Sequence, residues 1–273
     1  MSDDMKGKHV LITGAASGIG RETAFVFAEA GANLDLVDVN RDGLERTALL
    51  CRAMGSDVHT HVVDVSNADA MDALARTVHS RVTALDVVIN NAGVGVAGSF
   101  VGTDLQTWDW AISINLKGVV HGCHYFLPAM IARGHGGHVV NVASAAGLLA
   151  ANGMSVYSAT KFAVVGLSES LRAEMKAHNI GVTTICPGLI DTAIVTNTRR
   201  TGNLANDTTF NERAAKLYRR RNYGPDRVAK AILNAVRNNK SVVPVSPEAW
   251  AMYLGKRFTP GLVERLTGIN FMP

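Results

Sequence analysis

Between His9 and Asp38 the chain passes through an apolar run, a glycine-rich turn, a helical stretch and a second apolar run, and few folds accommodate that order. The first run is His9 to Thr13, the turn is Gly14-Ala-Ala-Ser-Gly18-Ile-Gly20, Arg21 to Ala30 follow helical spacing, and Asn33 to Asp38 form the second run. Short apolar runs without polar alternation suit strands buried on both faces, which is the condition of a parallel sheet with crossover helices. Glycines let the backbone approach a ligand closely, and a helix start offers unpaired N–H groups and positive potential. Strand, glycine turn and helix together form the context in which a pyrophosphate binds. Asp38 then ends the second run about where a dinucleotide fold requires a carboxylate, ~20 residues beyond the glycines. A carboxylate there accepts from the adenosine ribose hydroxyls and repels an additional phosphate, so the pattern favours NAD over NADP. Arg21 and Arg41 are the nearby cations that could serve a phosphate instead.

The same alternation continues. A third strand from Val58 leads to Asp64-Val65, a fourth spans Leu85 to Ile89, and a helix covers about Thr103 to Ala132. A helix runs from Pro225 to Asn238, and a last strand occupies Ser241 to Val245. Alternating elements of this kind predict an α/β protein: a single doubly wound domain over residues 1–273 with a mostly parallel seven-stranded sheet. The 47% apolar and 18% charged residues suit a globular chain of that size.

Cys51, Cys123 and Cys186 are odd in number and lack the paired spacing of zinc sites. They fit buried, reduced thiols of a cytoplasmic protein. The acidic N-terminus is unlike a signal peptide, and no apolar run reaches the ~18 residues of a membrane span. The formal charge of +4 concentrates in Arg199-Arg200 and Arg219-Arg220-Arg221, with no aromatic platform beside either cluster. A solvated helix face explains such runs better than nucleic-acid binding. His121 and His124 lie three apart but lack an acidic or cysteine partner, so no metal site is expected, and His59 and His61 suit one exposed strand face.

The chemistry concentrates between Ser144 and Lys161, which offers a hydroxyl, a phenol and an ammonium in order. Tyr157 and Lys161 are four residues apart at the start of a helical pattern, so they share a face. A cation within ~4–6 Å should pull a phenol down from its pKa of ~10, toward the range where it can give and take protons. The pair alone is common in helices; beside a nucleotide turn it has something to react with. Asn115, an amide inside the apolar segment Ile112 to Leu116, requires partners in the core.

Taken together, Thr13-Gly14-x-x-x-Gly18-Ile19-Gly20, Asp64-Val65, Asn90-Asn91-Ala92-Gly93, Asn115, Ser144, Tyr157, Lys161 and Pro187-Gly188 resemble, in order, the motifs of the short-chain dehydrogenase/reductase family over roughly residues 8 to 192. That resemblance implies a Rossmann-type domain and a catalytic tetrad of Asn115, Ser144, Tyr157 and Lys161. It implies NAD held by Gly14, Ser17, Gly18, Ile19, Gly20, Asp38, Asp64, Val65, Asn91, Ala92, Gly93, Tyr157, Lys161, Pro187, Gly188, Ile190 and Thr192. Tyr157 would be the general acid/base, Lys161 would grip the nicotinamide ribose, and Asn115 would support the proton path. Family members commonly pair as homodimers or homotetramers through the helices carrying Asn115 and Tyr157.

Beyond Gly188 the pattern becomes irregular, and residues 189–223 form a candidate substrate lid, since long ordered loops at strand ends usually serve a ligand. With Val94, Val96, Ala146, Leu148 and Met154 facing Leu189 and the rest of the lid, the pocket is expected to be apolar, suited to a hydrophobic secondary alcohol or ketone. The extension 247–273 carries an apolar stripe, Trp250, Met252, Tyr253, Leu254, Phe258, Leu262 and Leu266, broken by Lys256, Arg257 and Arg265. Packing against its own or a neighbouring subunit suits this stripe better than weak contact with a membrane surface. Two alternatives stand beside an NAD-dependent alcohol dehydrogenase. One is an NADPH-dependent 3-oxoacyl-thioester reductase whose basic run docks an acidic carrier protein, which Asp38 disfavours. The other is a non-catalytic NAD-binding redox sensor, which would have no need of the Tyr-Lys pair.

Overall fold

The computed structural model describes residues 5–261, so Leu262, Arg265 and Leu266 of the apolar stripe lie outside the described residues. The chain runs through β1 (His9–Thr13), α1 (Gly18–Glu29), β2 (Asn33–Asp38), α2 (Arg41–Ala53), β3 (Val58–Val62), α3 (Ala68–His79), β4 (Val87–Asn90) and β5 (Val96–Ala97). There follow α4 (Leu105–Ile112), a π-helical turn (Ser113–Lys117), α5 (Gly118–Arg133), β6 (Gly137–Val142), α6 (Ser155–Met175) and β7 (Ile180–Pro187). The lid contributes α7 (Ala193–Thr196), β8 (Arg199–Arg200) and α8 (Phe210–Arg221), after which come α9 (Pro225–Arg237), β9 (Val242–Val245) and α10 (Pro247–Phe258).

Seven strands form one sheet in the order β3-β2-β1-β4-β6-β7-β9, and every ladder in it is parallel. Successive side chains of a strand face opposite ways, so β1 feeds two cores. Val10 and Ile12 pack with Leu34, Leu36, Ile89 and the α1 residue Phe27. Leu11 packs on the other face with Val37, Val88 and the α5 residues Phe126 and Met130. Strand order reverses between β1 and β4, and a doubly wound sheet opens its ligand crevice at the C-terminal strand ends beside that switch. The glycine turn after β1 and the Asn90-Gly93 segment after β4 meet there.

The structure departs from the sequence expectations in four places. The long helix is interrupted by the π-helical turn at Ser113–Lys117. Val96–Ala97 and Arg199–Arg200 pair in a separate two-stranded parallel ladder. Arg199-Arg200 is therefore strand and not a solvated helix face: the Arg199 guanidinium stacks 3.7 Å from the Trp110 ring centroid, and Arg200 donates to the Asp207 carbonyl. Arg219 to Arg221 are exposed residues at the end of an amphipathic helix whose Phe210, Ala214 and Ala215 are buried, and Arg221 pairs with Glu248. Finally, His61 is not on an exposed face. Its Nε2 lies 2.7 Å from Oδ1 of the buried Asp35, which Arg81 also engages, because β3 runs beside β2 and places the two residues on the same side of the sheet.

Candidate active site

The neighbouring helices α2, α3 and α4 have capped starts, whereas α1, like α6, α8 and α9, has none. Asn40 caps α2, Asn67 caps α3 and Asp104 caps α4, each side chain accepting from a first-turn N–H. At α1 the N-cap residue Ser17 makes no such bond and the first turn holds no acidic residue. The leading amides of Gly18, Ile19 and Gly20 are thus left with the unscreened positive end of the helix, which is what an anionic pyrophosphate requires. The turn itself needs glycine. Gly14 has φ +69° and Gly18 φ +54°, and a Cβ on Gly20 would stand 2.1 Å from the Gly14 carbonyl oxygen.

Asn91 holds this turn from behind, its Nδ2 donating to the carbonyls of Thr13 (2.9 Å) and Gly14 (3.3 Å). The Thr13 hydroxyl accepts from the amides of Asn91 and Ala92 in return. Asp38 reaches the same turn, with Oδ2 accepting from the Ala16 amide and Oδ1 from the Asn40 amide, both at 2.9 Å. Asp64 is exposed just past β3 and accepts from Ser66. The Val65 carbonyl takes a 2.7 Å bond from His121 Nδ1, which gives that histidine a packing role.

Ser144 follows β6, while Tyr157 and Lys161 project from the first turns of α6. The Ser144 Oγ accepts from the Ala146 amide at 3.1 Å, and the Ser144 side chain acts on the Tyr157 phenol to oppose its upward shift. Lys161 is buried, with Nζ donating to the Val142 carbonyl at 3.0 Å and lying 5.7 Å from the Tyr157 ring centroid. The expected downward pull of Lys161 on the phenol does not prevail. Burial pushes Tyr157 up, against the opposing Ser144 bond, and pulls the Lys161 ammonium down to about 8, against the opposing influence of Cys186. Both shifts have one cause: a low-dielectric setting disfavours whichever form carries charge.

Asn115 sits fully buried in the π-helical turn. Its Oδ1 accepts from the Val94 amide at 2.8 Å, and its Nδ2 donates to the Val94 carbonyl at 3.0 Å and to the Thr160 hydroxyl at 3.2 Å. Thr160 Oγ1 in turn donates to the Tyr157 carbonyl at 2.8 Å. Asn115 therefore ties the segment after β4 to the helix carrying Tyr157. Above it lies the exposed Gly93, where a Cβ would stand 3.1 Å from Asn115 Oδ1 and 3.4 Å from Lys161 Nζ. The absent side chain leaves an approach to both groups.

On the far side, Pro187 ends β7 and Gly188 donates to the Val245 carbonyl at 3.0 Å. Ile190 is buried in the core. Thr192 stands over the glycine turn, its Cβ and Cγ2 both 3.3 Å from the Cβ position of Gly18. Val94, Ala146, Met154 and Leu189 are half-buried. Val96 is different: its ladder with Arg199 turns it into a cluster with Ala111 and Val156. Sequence reasoning passed over Thr160, Tyr218 and Glu248. Thr160, three residues beyond Tyr157, was legible from helical spacing; the other two depend on how the lid folds back.

A parallel doubly wound sheet with an uncapped glycine-turn helix and a Ser-Tyr-Lys-Asn group, its Lys161 and Asn115 buried, defines a nucleotide-binding Rossmann-type protein. The model of the short chain dehydrogenase family matches residues 8–203, and the chain belongs to the short-chain dehydrogenase/reductase family of oxidoreductases. It is 42% identical over 254 residues to "Probable oxidoreductase EphD" of Mycobacterium tuberculosis, covering 92% of this chain and 43% of that protein. The chain thus spans less than half the length of that relative. It is 39% identical over 194 residues to estradiol 17-beta-dehydrogenase 11 of Homo sapiens, covering 70% of this chain and 64% of that protein. Among solved structures, a short chain dehydrogenase/reductase from Burkholderia phymatum in complex with NAD is 30% identical with a TM-score of 0.86, over 95% of this chain and 96% of that one.

Proposed function

We propose that the chain transfers hydride between NAD(H) and a hydrophobic secondary alcohol or ketone, with Tyr157 as the general acid/base. The observation that carries this reading is the buried Lys161 ammonium 5.7 Å from the ring centroid of Tyr157 on the same helix, with Ser144 acting on the phenol. The uncapped start of α1 and the opening at Gly93 fit a dinucleotide, and Asp38 fits its adenosine ribose. NAD, when bound, supplies the hydride acceptor, and its reduced form the donor.

This chain's residues handle the proton. With its pKa raised, Tyr157 carries its proton at neutral pH and can donate it to a carbonyl oxygen that Ser144 also hydrogen-bonds. In the oxidative direction the phenol must first lose that proton, and the Lys161 charge then stabilises the phenolate. Asn115 fixes Val94 and the Tyr157 turn so that these groups stay aligned. The half-buried Val94, Ala146, Met154 and Leu189 favour an apolar substrate. The Burkholderia structure holds NAD, and the human relative is named for estradiol, an apolar skeleton bearing a secondary alcohol; both support the reading. Within it, residues 189–223 act as the lid of a single domain of residues 1–273, and pairing through α5 and α6 gives a cytoplasmic homodimer or homotetramer.

The test is a titration with NAD, NADH, NADP and NADPH followed by thermal shift, since a ligand that binds the folded state raises apparent stability. Tighter binding of the NAD pair is expected. Tyr157→Phe should cut turnover by ~10²-fold or more while retaining NADH binding. If the NADP pair binds tighter, Asp38 has been misassigned, and if the phenylalanine variant turns over normally, Tyr157 is not the acid/base.

A further inference from the structure

A single carboxylate from outside the lid grips both of its ends. Glu248, in the first turn of α10, accepts the Leu189 amide on Oε1 at 2.8 Å and the Arg221 guanidinium on Oε2 at 2.6 Å. Leu189 opens the lid directly after β7, and Arg221 is the last residue of α8. The Glu248 side chain is 17% exposed, so this bridge is partly withdrawn from solvent and its charge-assisted bonds are less screened than those of a surface pair.

The surroundings are built to hold that carboxylate. A Cβ on Gly188 would lie 2.4 Å from Glu248 Oε1 and 2.3 Å from Ser246 Oγ. Ser246 holds φ +112°, a backbone state that residues with side chains rarely adopt, and its Oγ caps α10 at the Ala249 amide. Tyr218 lies three residues before Arg221, on the same face of α8. Its phenol is raised to about 12 by burial first, then by the proximity of Tyr157 and of Glu248. The Tyr218 side chain packs with Ile194, Val195, Ala214 and Ala215, so it ties α8 to α7 within the lid.

We propose that Glu248 is a positioning residue: by joining Leu189 to Arg221 it fixes α8 as part of the lid, and so sets substrate affinity. The assignment rests on the reading of Tyr157 as the reaction centre. Glu248→Gln keeps the size and the acceptor for Leu189 but removes the charge that holds Arg221. Amide hydrogen exchange of residues 210–221, measured with no substrate present, should quicken by about tenfold in Glu248→Gln and in Arg221→Gln, while exchange in β1 and β4 stays as in the wild type. The double variant should exceed neither single variant, because both remove one interaction. With 2-decanone as the ketone probe, Glu248→Gln should raise KM about tenfold with kcat within about twofold.

Unchanged exchange in α8, additive effects in the double variant, or a fall in kcat without a rise in KM would each overturn the proposal. Turnover that survives Tyr157→Phe would instead remove the reaction-centre reading, and the exchange data would still decide whether Glu248 holds the lid.

Discussion

Lys161 should cost the protein stability, and the cost should depend on pH in a defined direction. The residue is 3% exposed, and burial lowers its pKa from 10.5 to about 8. Below pH 8 the folded and unfolded chains both carry the proton, so the full penalty of burying the charge applies, about 3 kcal/mol at ~1.4 kcal/mol per pH unit. Between pH 8 and 10.5 the unfolded chain holds a proton that the folded chain has released, and stability rises with pH. Lys161→Met keeps the length of the side chain, removes the charge, and forfeits about 1 kcal/mol from the bond to the Val142 carbonyl. The variant should therefore be about 2 kcal/mol more stable than the wild type at pH 7, an advantage that shrinks by about 1 kcal/mol by pH 9. Urea unfolding of both proteins at pH 7, 8 and 9, at one protein concentration, measures this directly. The thiols of Cys51 and Cys123, pushed up to about 12, are common to both proteins and cancel in the difference; Cys186, which burial raises and Lys161 draws down, stays protonated from pH 7 to 9. A variant less stable than the wild type at pH 7, or a difference that does not vary with pH, would refute the reasoning. Turnover should be lost regardless, as expected where a functional group is kept at the expense of stability.

Gly20→Ala should destabilise the fold and abolish nucleotide binding, because its Cβ would meet the Gly14 carbonyl at 2.1 Å and Asn91 Nδ2 at 2.6 Å; thermal melts and an NADH titration check both effects. Asn115→Ala leaves the Val94 amide and carbonyl and the Thr160 hydroxyl short of partners. It should cost about 2–4 kcal/mol in urea unfolding and lower turnover with NADH binding retained.

The parts of this structure legible in the sequence are those written locally. β1, the glycine turn and β2 follow from apolar runs bounded by turn residues, parallel pairing follows from their alternation with helices, and the strand ending at Pro187 follows from the family resemblance. The π-helical turn is another matter. Ile112-Ser-Ile-Asn-Leu contains neither glycine nor proline, and the break exists where Asn115 reaches across to Val94, a residue 21 positions earlier. The β5–β8 ladder joins two residues to two others about a hundred positions away, too short for any periodicity and dependent on long-range bonds such as Thr103 to Thr201. His61 was misplaced for a related reason. Asp35 stands in the middle of β2, and a buried carboxylate in a central run demands a cation or donor from a neighbouring strand, so the requirement was visible although its answer was not.

The active-site pair shows why spacing alone is insufficient for chemistry. Tyr157 and Lys161 at i and i+4 share a helix face, as their spacing dictates, but whether the lysine charges the phenol depends on how much each loses by leaving water. Here burial moves the phenol up and the ammonium down, so each charge is costly alone. A phenolate beside an ammonium offsets part of both penalties, so the two charges form together at less cost than either does singly. A pH profile of turnover is then expected to report the ionisation of both groups together and not of Tyr157 alone. Removing Lys161 should consequently shift the whole profile, where a change confined to Ser144 should shift it less, because Ser144 contributes a hydrogen bond and no charge.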